Sequence, residues 1–354
     1  MQSVDVLREL SDAFGVAGFE DEVREAISGL VTPFVDEVRT DALGNLLAIR
    51  HARANAVQAK TLMLDAHMDE IGFIVKWIDD NGYLRFAPIG GWDERIVPGH
   101  RIVLLARDGT KHHGVIGTAP PHIVAPEERT KPIPMERMFI DVGATSKDEV
   151  ASMGIRIGDP LTIHYPFTTL RDGTVTGKAF DDRAGCTVLV ETARRLAEHE
   201  LGMTVAFSFV FGEEVGLRGA RTAAYQLEPD LAIAIEGTIG ADMPGVPPES
   251  QPVRLGEGPA ISVADRSIVV TRKLVAAIES VAERTGIPYQ YKLPTYGGTD
   301  AGAIHLTRGG VLAGVISVPC RYIHSPISTL RLEDLENTIR LTAAFVDALP
   351  DAVF

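Results

Sequence analysis

Residues 203–220, MTVAFSFVFGEEVGLRGA, constrain the fold more than any other stretch. The run MTVAFSFVF is apolar without alternation and rich in β-branched and aromatic residues. A strand with one wet face alternates, so a strand that does not must be covered on both faces. This one reads as a central strand of an α/β sheet. It stops at Gly212, and Glu213 and Glu214 follow at once, ahead of the glycine-punctuated turn 215–219. Ligands of α/β sheets collect at the carboxyl ends of strands. Successive side chains of extended backbone point to opposite sides, so one glutamate can bind a metal while its neighbour faces water or substrate. Alone, the pair is more simply a solvated acidic turn, and the rest of the chain has to decide.

Other apolar runs deliver polar residues in the same way. TLML at 61–64 reads as a strand that empties into Asp65-Ala66-His67-Met68-Asp69-Glu70. A histidine and an aspartate two residues apart suit a metal ligand and the carboxylate that orients its ring; a hydrogen-bonded histidine at a strand end is the simpler alternative. Asp181 and Asp182 precede a helical pattern carried by Val188, Leu189, Thr192 and Leu196. One aspartate there would serve as an N-cap, which leaves the other free to bridge metals. Leu231–Ile235 reads as a strand ending at Glu236, and VLAGVISVP reads as a strand that places His324 just past its end. Glycines and Asp300 punctuate the stretch YKLPTYGGTDAGAIHLTRGG. Helices are expected over 3–14, 20–31, 271–286 and 332–348 from their apolar spacing.

Between about 70 and 166 the texture changes. Short strand-like runs are separated by Asn81-Gly82 and Asp108-Gly109, which are hairpin signals, and by a proline-marked loop from Pro120 to Pro134. This predicts a small β domain, 70–166, inserted into a larger domain made of 1–69 and 167–354. His112, His113, His122 and His164 fall within it without a carboxylate at ligand spacing, and read as surface or packing residues. The formal net charge of −14 argues against nucleic acid and anionic membranes as partners. No run of about eighteen uncharged apolar residues exists. The start, MQSVDVLREL, is charged and lacks an apolar core, so no signal peptide is expected. Cys186 and Cys320 have no metal or redox spacing and read as free thiols of a reducing, cytoplasmic compartment.

Five potential ligands thus lie at or just beyond element ends: His67, Asp181, Glu214, Glu236 and His324. Two histidines and three carboxylates, one of them bridging, suit two divalent ions, and zinc, cobalt and manganese accept the same ligands. Two dications against three carboxylates leave the site net positive, which lowers the pKa of a bridging water. Glu213 is then the candidate general base.

The blocks HMDEIGFIV, MFIDVGATSKDEV, GKAFDDRAG, FGEEVGLRGA, GGTDAGAIH and ISVPCRYIHSP resemble the dimetal aminopeptidases that include glutamyl aminopeptidase and the tetrahedral aminopeptidases. The resemblance runs in order over nearly the whole chain. It implies an α/β, mixed-sheet catalytic domain and an inserted small β-barrel-like (PDZ-like) dimerisation domain. It implies the same five ligands, Glu213 as the catalytic base, Asp69 as the residue supporting His67, and a cis peptide between Asp181 and Asp182. It also implies zinc or cobalt as the metal, peptide substrates with a free N-terminus, and self-association to a dimer and a hollow dodecamer. One departure stands out: the family usually has aspartate where this chain has Glu236, which keeps the charge and adds a methylene. Alternatives on the same scaffold are a dimetal deacylase or carboxypeptidase, or a catalytically silent assembly protein. Adjacent glutamates occupied by metal do not suit the spaced pair that flanks a glycosidic bond.

Overall fold

The covered strand is present as Thr204–Val210, buried at six of its seven residues. It sits inside an eleven-stranded mixed sheet whose centre is a set of parallel strands. Thr204–Val210 pairs with Thr61–His67 from Thr204 against Thr61 to Val210 against His67. Thr61–His67 pairs in turn with Leu231–Gly240, and that strand with Leu312–Arg321. The structure, a computed structural model, describes residues 2–53, 60–293 and 297–348. Part of the glycine-rich stretch, 294–296, lies outside the described residues.

Helices form at Ser3–Asp12, Asp21–Val31, Phe180–Leu196, Arg272–Thr285 and Leu332–Ala348, each close to its expected span. The Phe180–Leu196 helix packs on the central strands and on the Leu332–Ala348 helix, and one continuous apolar core joins them. Two strands run further than their apolar stretches suggest. Thr61–His67 continues past Leu64, and Leu231–Gly240 continues past Ile235. Parallel pairing with at least one neighbouring strand holds the backbone extended through Asp65, His67 and Glu236, where side-chain polarity alone suggests a stop. Glu236 is therefore inside a strand, opposite Ser317, and not beyond its end.

The inserted region forms a closed six-stranded antiparallel barrel between Gly72–Ile78 and Pro160–Ile163. It has its own core, which includes Phe73, Phe86, Leu104 and Ile140. Asn81-Gly82 and Asp108-Gly109 close two of its hairpins, with both glycines at positive φ. A short helix at Lys147–Ser152 is an addition to the strand pattern, capped by the Ser146 hydroxyl accepting from Glu149 N. The pairing of Ser146 with Glu149 is the capping-box spacing, and it was the signal for that helix.

A buried ionic node joins the barrel to the sheet domain. Glu70 Oε1 accepts from Lys178 Nζ at 2.7 Å, and Oε2 accepts from the hydroxyl of Thr162 on the last barrel strand at 2.9 Å. Arg183, wholly buried, donates to the carbonyls of Met68, Leu10, Ala13 and Gly15. Both cations flank Asp181 and Asp182 in sequence, so this node fixes where the helix carrying those aspartates begins.

Candidate metal centre

His67 is the last residue of its strand and is buried. Its Nδ1 lies 3.1 Å from the Asp69 carbonyl oxygen. That acceptor places the proton on Nδ1 and leaves the Nε2 lone pair facing the site. The Asp69 carboxylate does more than support the ring, although it too is 3.4 Å from Nδ1. Its two oxygens accept from the backbone N–H groups of Glu213 and Glu214, at 3.0 and 3.1 Å. One side chain thus locks the histidine and the glutamate pair together.

The two aspartates divide their work. The peptide between them is cis. Asp182 Oδ1 accepts from Gly185 N at 2.9 Å, capping the helix, and Oδ2 accepts from His67 N at 3.3 Å. Asp181 keeps both oxygens for the site. Its Oδ1 is 3.3 Å from His67 Nε2, and its Oδ2 is 3.8 Å from His324 Nε2. Glu214 Oε2 lies 3.6 Å from His324 Nε2, and Glu236 Oε2 lies 3.8 Å from His67 Nε2. Glu213 Oε2 stands 4.0 Å from His67 Nε2. Every residue expected from the sequence is therefore in one place, with potential ligand atoms gathered on two sides: His67 and Glu236 on one, His324 and Glu214 on the other, Asp181 between them. Asp182 also has an oxygen within range of the His67 side.

The charge balance of this place is strained in favour of cations. Burial, with neighbouring carboxylates adding to it, pushes Glu213 up to about 8. Burial likewise raises Glu214, Glu236 and Asp182 well above the carboxylate range. Asp181 moves the other way: burial opposes its charge, but the adjacent His67 holds it low. Two imidazoles cannot balance so many buried carboxylates, and a pair of divalent ions can. The donor set is oxygen and nitrogen without thiolate: Cys186 gives its S–H to the His67 carbonyl, and the buried Cys320 is absent from both ligand groups. That chemistry fits Zn, Co or Mn. The barrel histidines stay out of it, with His113 edge-on to His164 at 5.1 Å.

Three contributors were not legible beforehand. Asp300 donates its backbone N–H to Glu236 Oε1 at 3.1 Å, which leaves Oε2 for the site and shows how the longer side chain is seated. Lys292 is buried and lines the same cavity, of about 670 Å³, beside Met243, Leu217 and Tyr322. The Gly91 carbonyl accepts from His324 Nδ1 at 3.0 Å. A helical or strand period does not encode such contacts. The double glycine at 90–91 was the single hint, as a point of close backbone approach.

Residues 44–341 match the M42 glutamyl aminopeptidase family. A putative aminopeptidase from Acetivibrio thermocellus is 40% identical over 339 residues, which is 95% of this chain and 96% of that one. The lysyl aminopeptidase of Pyrococcus furiosus is 34% identical over 352 residues, covering 98% and 97%. Among solved structures, an aminopeptidase from the archaeon Desulfurococcus kamchatkensis has a TM-score of 0.94 at 39% identity, over 99% of this chain and 96% of that one. The Pyrococcus horikoshii TET1 peptidase, which can assemble into a tetrahedron or a large octahedral shell, has a TM-score of 0.87 at 34% identity, over 98% and 100%. With both the match and the shared fold running through the residues described above, this chain belongs to the M42 peptidase family of aminopeptidases.

Proposed function

We propose that this aminopeptidase uses two divalent ions, held by His67, Asp181, Glu214, Glu236 and His324, to remove N-terminal residues from peptides. The observation that carries the reading is Asp181, whose two oxygens face the two histidines. When bound, the ions polarise the substrate carbonyl and make hydroxide available from water near neutral pH. Glu213 has a carboxylate that makes no hydrogen bond to the described residues, and a backbone fixed by Asp69. It takes a proton from the attacking water and returns it to the departing amine. A free N-terminal amine offers a lone pair that a bound ion would accept and an acetylated end does not, which favours substrates with a free N-terminus.

The cavity also bears on the choice of N-terminal residue. M42 relatives carry names that include glutamyl and lysyl aminopeptidase. Lys292 is only 4% exposed and lines the cavity; its ammonium makes no hydrogen bond or salt bridge with the described residues, and its charge helps to hold Asp181 low. A buried ammonium attracts a carboxylate and repels another ammonium. The substrate side chain favoured here is therefore acidic. The barrel, built from residues within 70–166, is the part proposed for self-association, toward a dimer and a dodecamer.

Glu213→Gln keeps size and polarity but cannot accept a proton. Its metal content should stay near wild type while kcat falls by about 10²–10⁴. Glu214→Gln should instead lose metal, with excess metal restoring part of the activity. Equal metal loss in both variants would make both glutamates ligands, and full activity of Glu213→Gln would remove the base.

In a panel of aminoacyl anilides, glutamyl substrate should exceed its isostere glutaminyl by about tenfold or more in kcat/KM, equivalent to about 1.4 kcal/mol. Lys292→Gln should abolish that margin and leave leucyl substrate unchanged, and N-acetylated substrates should not be cleaved. An unchanged margin in Lys292→Gln would exclude the lysine as selector.

Light scattering at about micromolar concentration should give a dimer or larger; a strict monomer with full activity contradicts a role for the barrel in assembly.

A further inference from the structure

His324 differs from the other ligand candidates in how it is held. It lies past the end of Leu312–Arg321, its side chain is 44% exposed, and its φ is +56°, the left-handed region. His67 is fixed by Asp69 and Asp182, both within the sheet domain. The ring of His324 is fixed from the barrel. Its Nδ1 donates to the Gly91 carbonyl, 233 positions away in the chain, in the segment that follows the barrel strand Leu84–Ile89. A carbonyl only accepts, so the proton sits on Nδ1, and the Nε2 lone pair is turned toward Asp181 and Glu214.

The segment around Gly91 is anchored to the barrel. Trp92 Nε1 donates to the Gly72 carbonyl at 2.9 Å, and its ring stacks on Phe73, a core residue of the barrel, at 4.6 Å. Gly90 has φ +77°, and a Cβ there would stand 2.5 Å from Ile71 Cγ2. A Cβ on Gly91 would stand 3.2 Å from His324 Nδ1, with nothing between them. Gly91 itself is not in the left-handed region, so an alanine there suits the backbone and crowds only the histidine ring.

We propose that the Gly91 carbonyl is a positioning group for His324, and that the barrel thereby completes the outer half of the metal centre, Asp181, Glu214 and His324. The inner half, around His67 and Glu236, is held without it. The inference rests on reading those five residues as ligands. It gives the barrel a part in metal binding that is separate from any part in assembly.

The test uses the full chain, stripped of metal and titrated with Co²⁺, followed by calorimetry and by the visible absorption of the bound ion. Wild type should take up two ions. Gly91→Ala, and separately Trp92→Leu, which loosens the segment without adding atoms near the ring, should keep the first ion. Both should bind the second about 10–100-fold more weakly, the usual effect of losing the partner of a ligating histidine. Asp108→Ala, at another barrel turn, should titrate as wild type. Thermal unfolding of metal-free Gly91→Ala should match wild type, which separates positioning from loss of fold. Wild-type titration of both Gly91→Ala and Trp92→Leu overturns the proposal, as does equal loss of both ions. A wild type that binds only one ion overturns the five-ligand reading instead.

Discussion

Buried negative charge is the constraint from which the rest of this structure follows. Asp69, Asp181, Asp182, Glu213, Glu214 and Glu236 converge around His67 and His324, in surroundings that raise several of them far above the carboxylate range. Such a group is stable only if backbone donors, buried cations and bound metal share out the charge. Backbone donors supply part of that relief. Asp69 and Asp182 are met by backbone N–H groups. Glu236 is met by Asp300 N. The carboxylates of Asp181, Glu213 and Glu214 accept no backbone hydrogen bond among the described residues, and they face the two histidines.

The fold is a means of holding that charge in register. Parallel pairing brings the end of Thr61–His67 level with the end of Thr204–Val210, so His67 and Glu213-Glu214 arrive side by side. Behind them, Arg183 and Lys178 lock the approach to Asp181 onto the first helix, the end of the His67 strand and the barrel. The barrel is therefore tied to the centre from two directions, through Glu70–Thr162 at its last strand and through Gly91–His324 at its second.

Much of this was legible in the sequence because local patterns encode it. The unalternating run at 203–211 revealed a covered strand, and polar residues at the ends of apolar runs revealed His67, Glu213, Glu214 and His324 as neighbours. Asp181 and Asp182 could be separated into a cap and a free carboxylate, and the structure assigns the cap to Asp182. What was missed is non-local. Strand ends were drawn too early at Leu64 and Ile235, because pairing with neighbouring strands, absent from a local window, keeps polar residues extended. The second task of Asp69, the donation from Asp300, and Lys292 and Gly91 all depend on segments that meet only after folding.

The central claim, that Asp181 joins two ions, is tested most directly by anomalous diffraction. Crystals of metal-reconstituted protein, measured on both sides of the metal absorption edge, should give two peaks, each with one Asp181 oxygen in its coordination shell, His67 at one and His324 at the other. A single peak, or two peaks with both Asp181 oxygens on the same ion, would contradict the account.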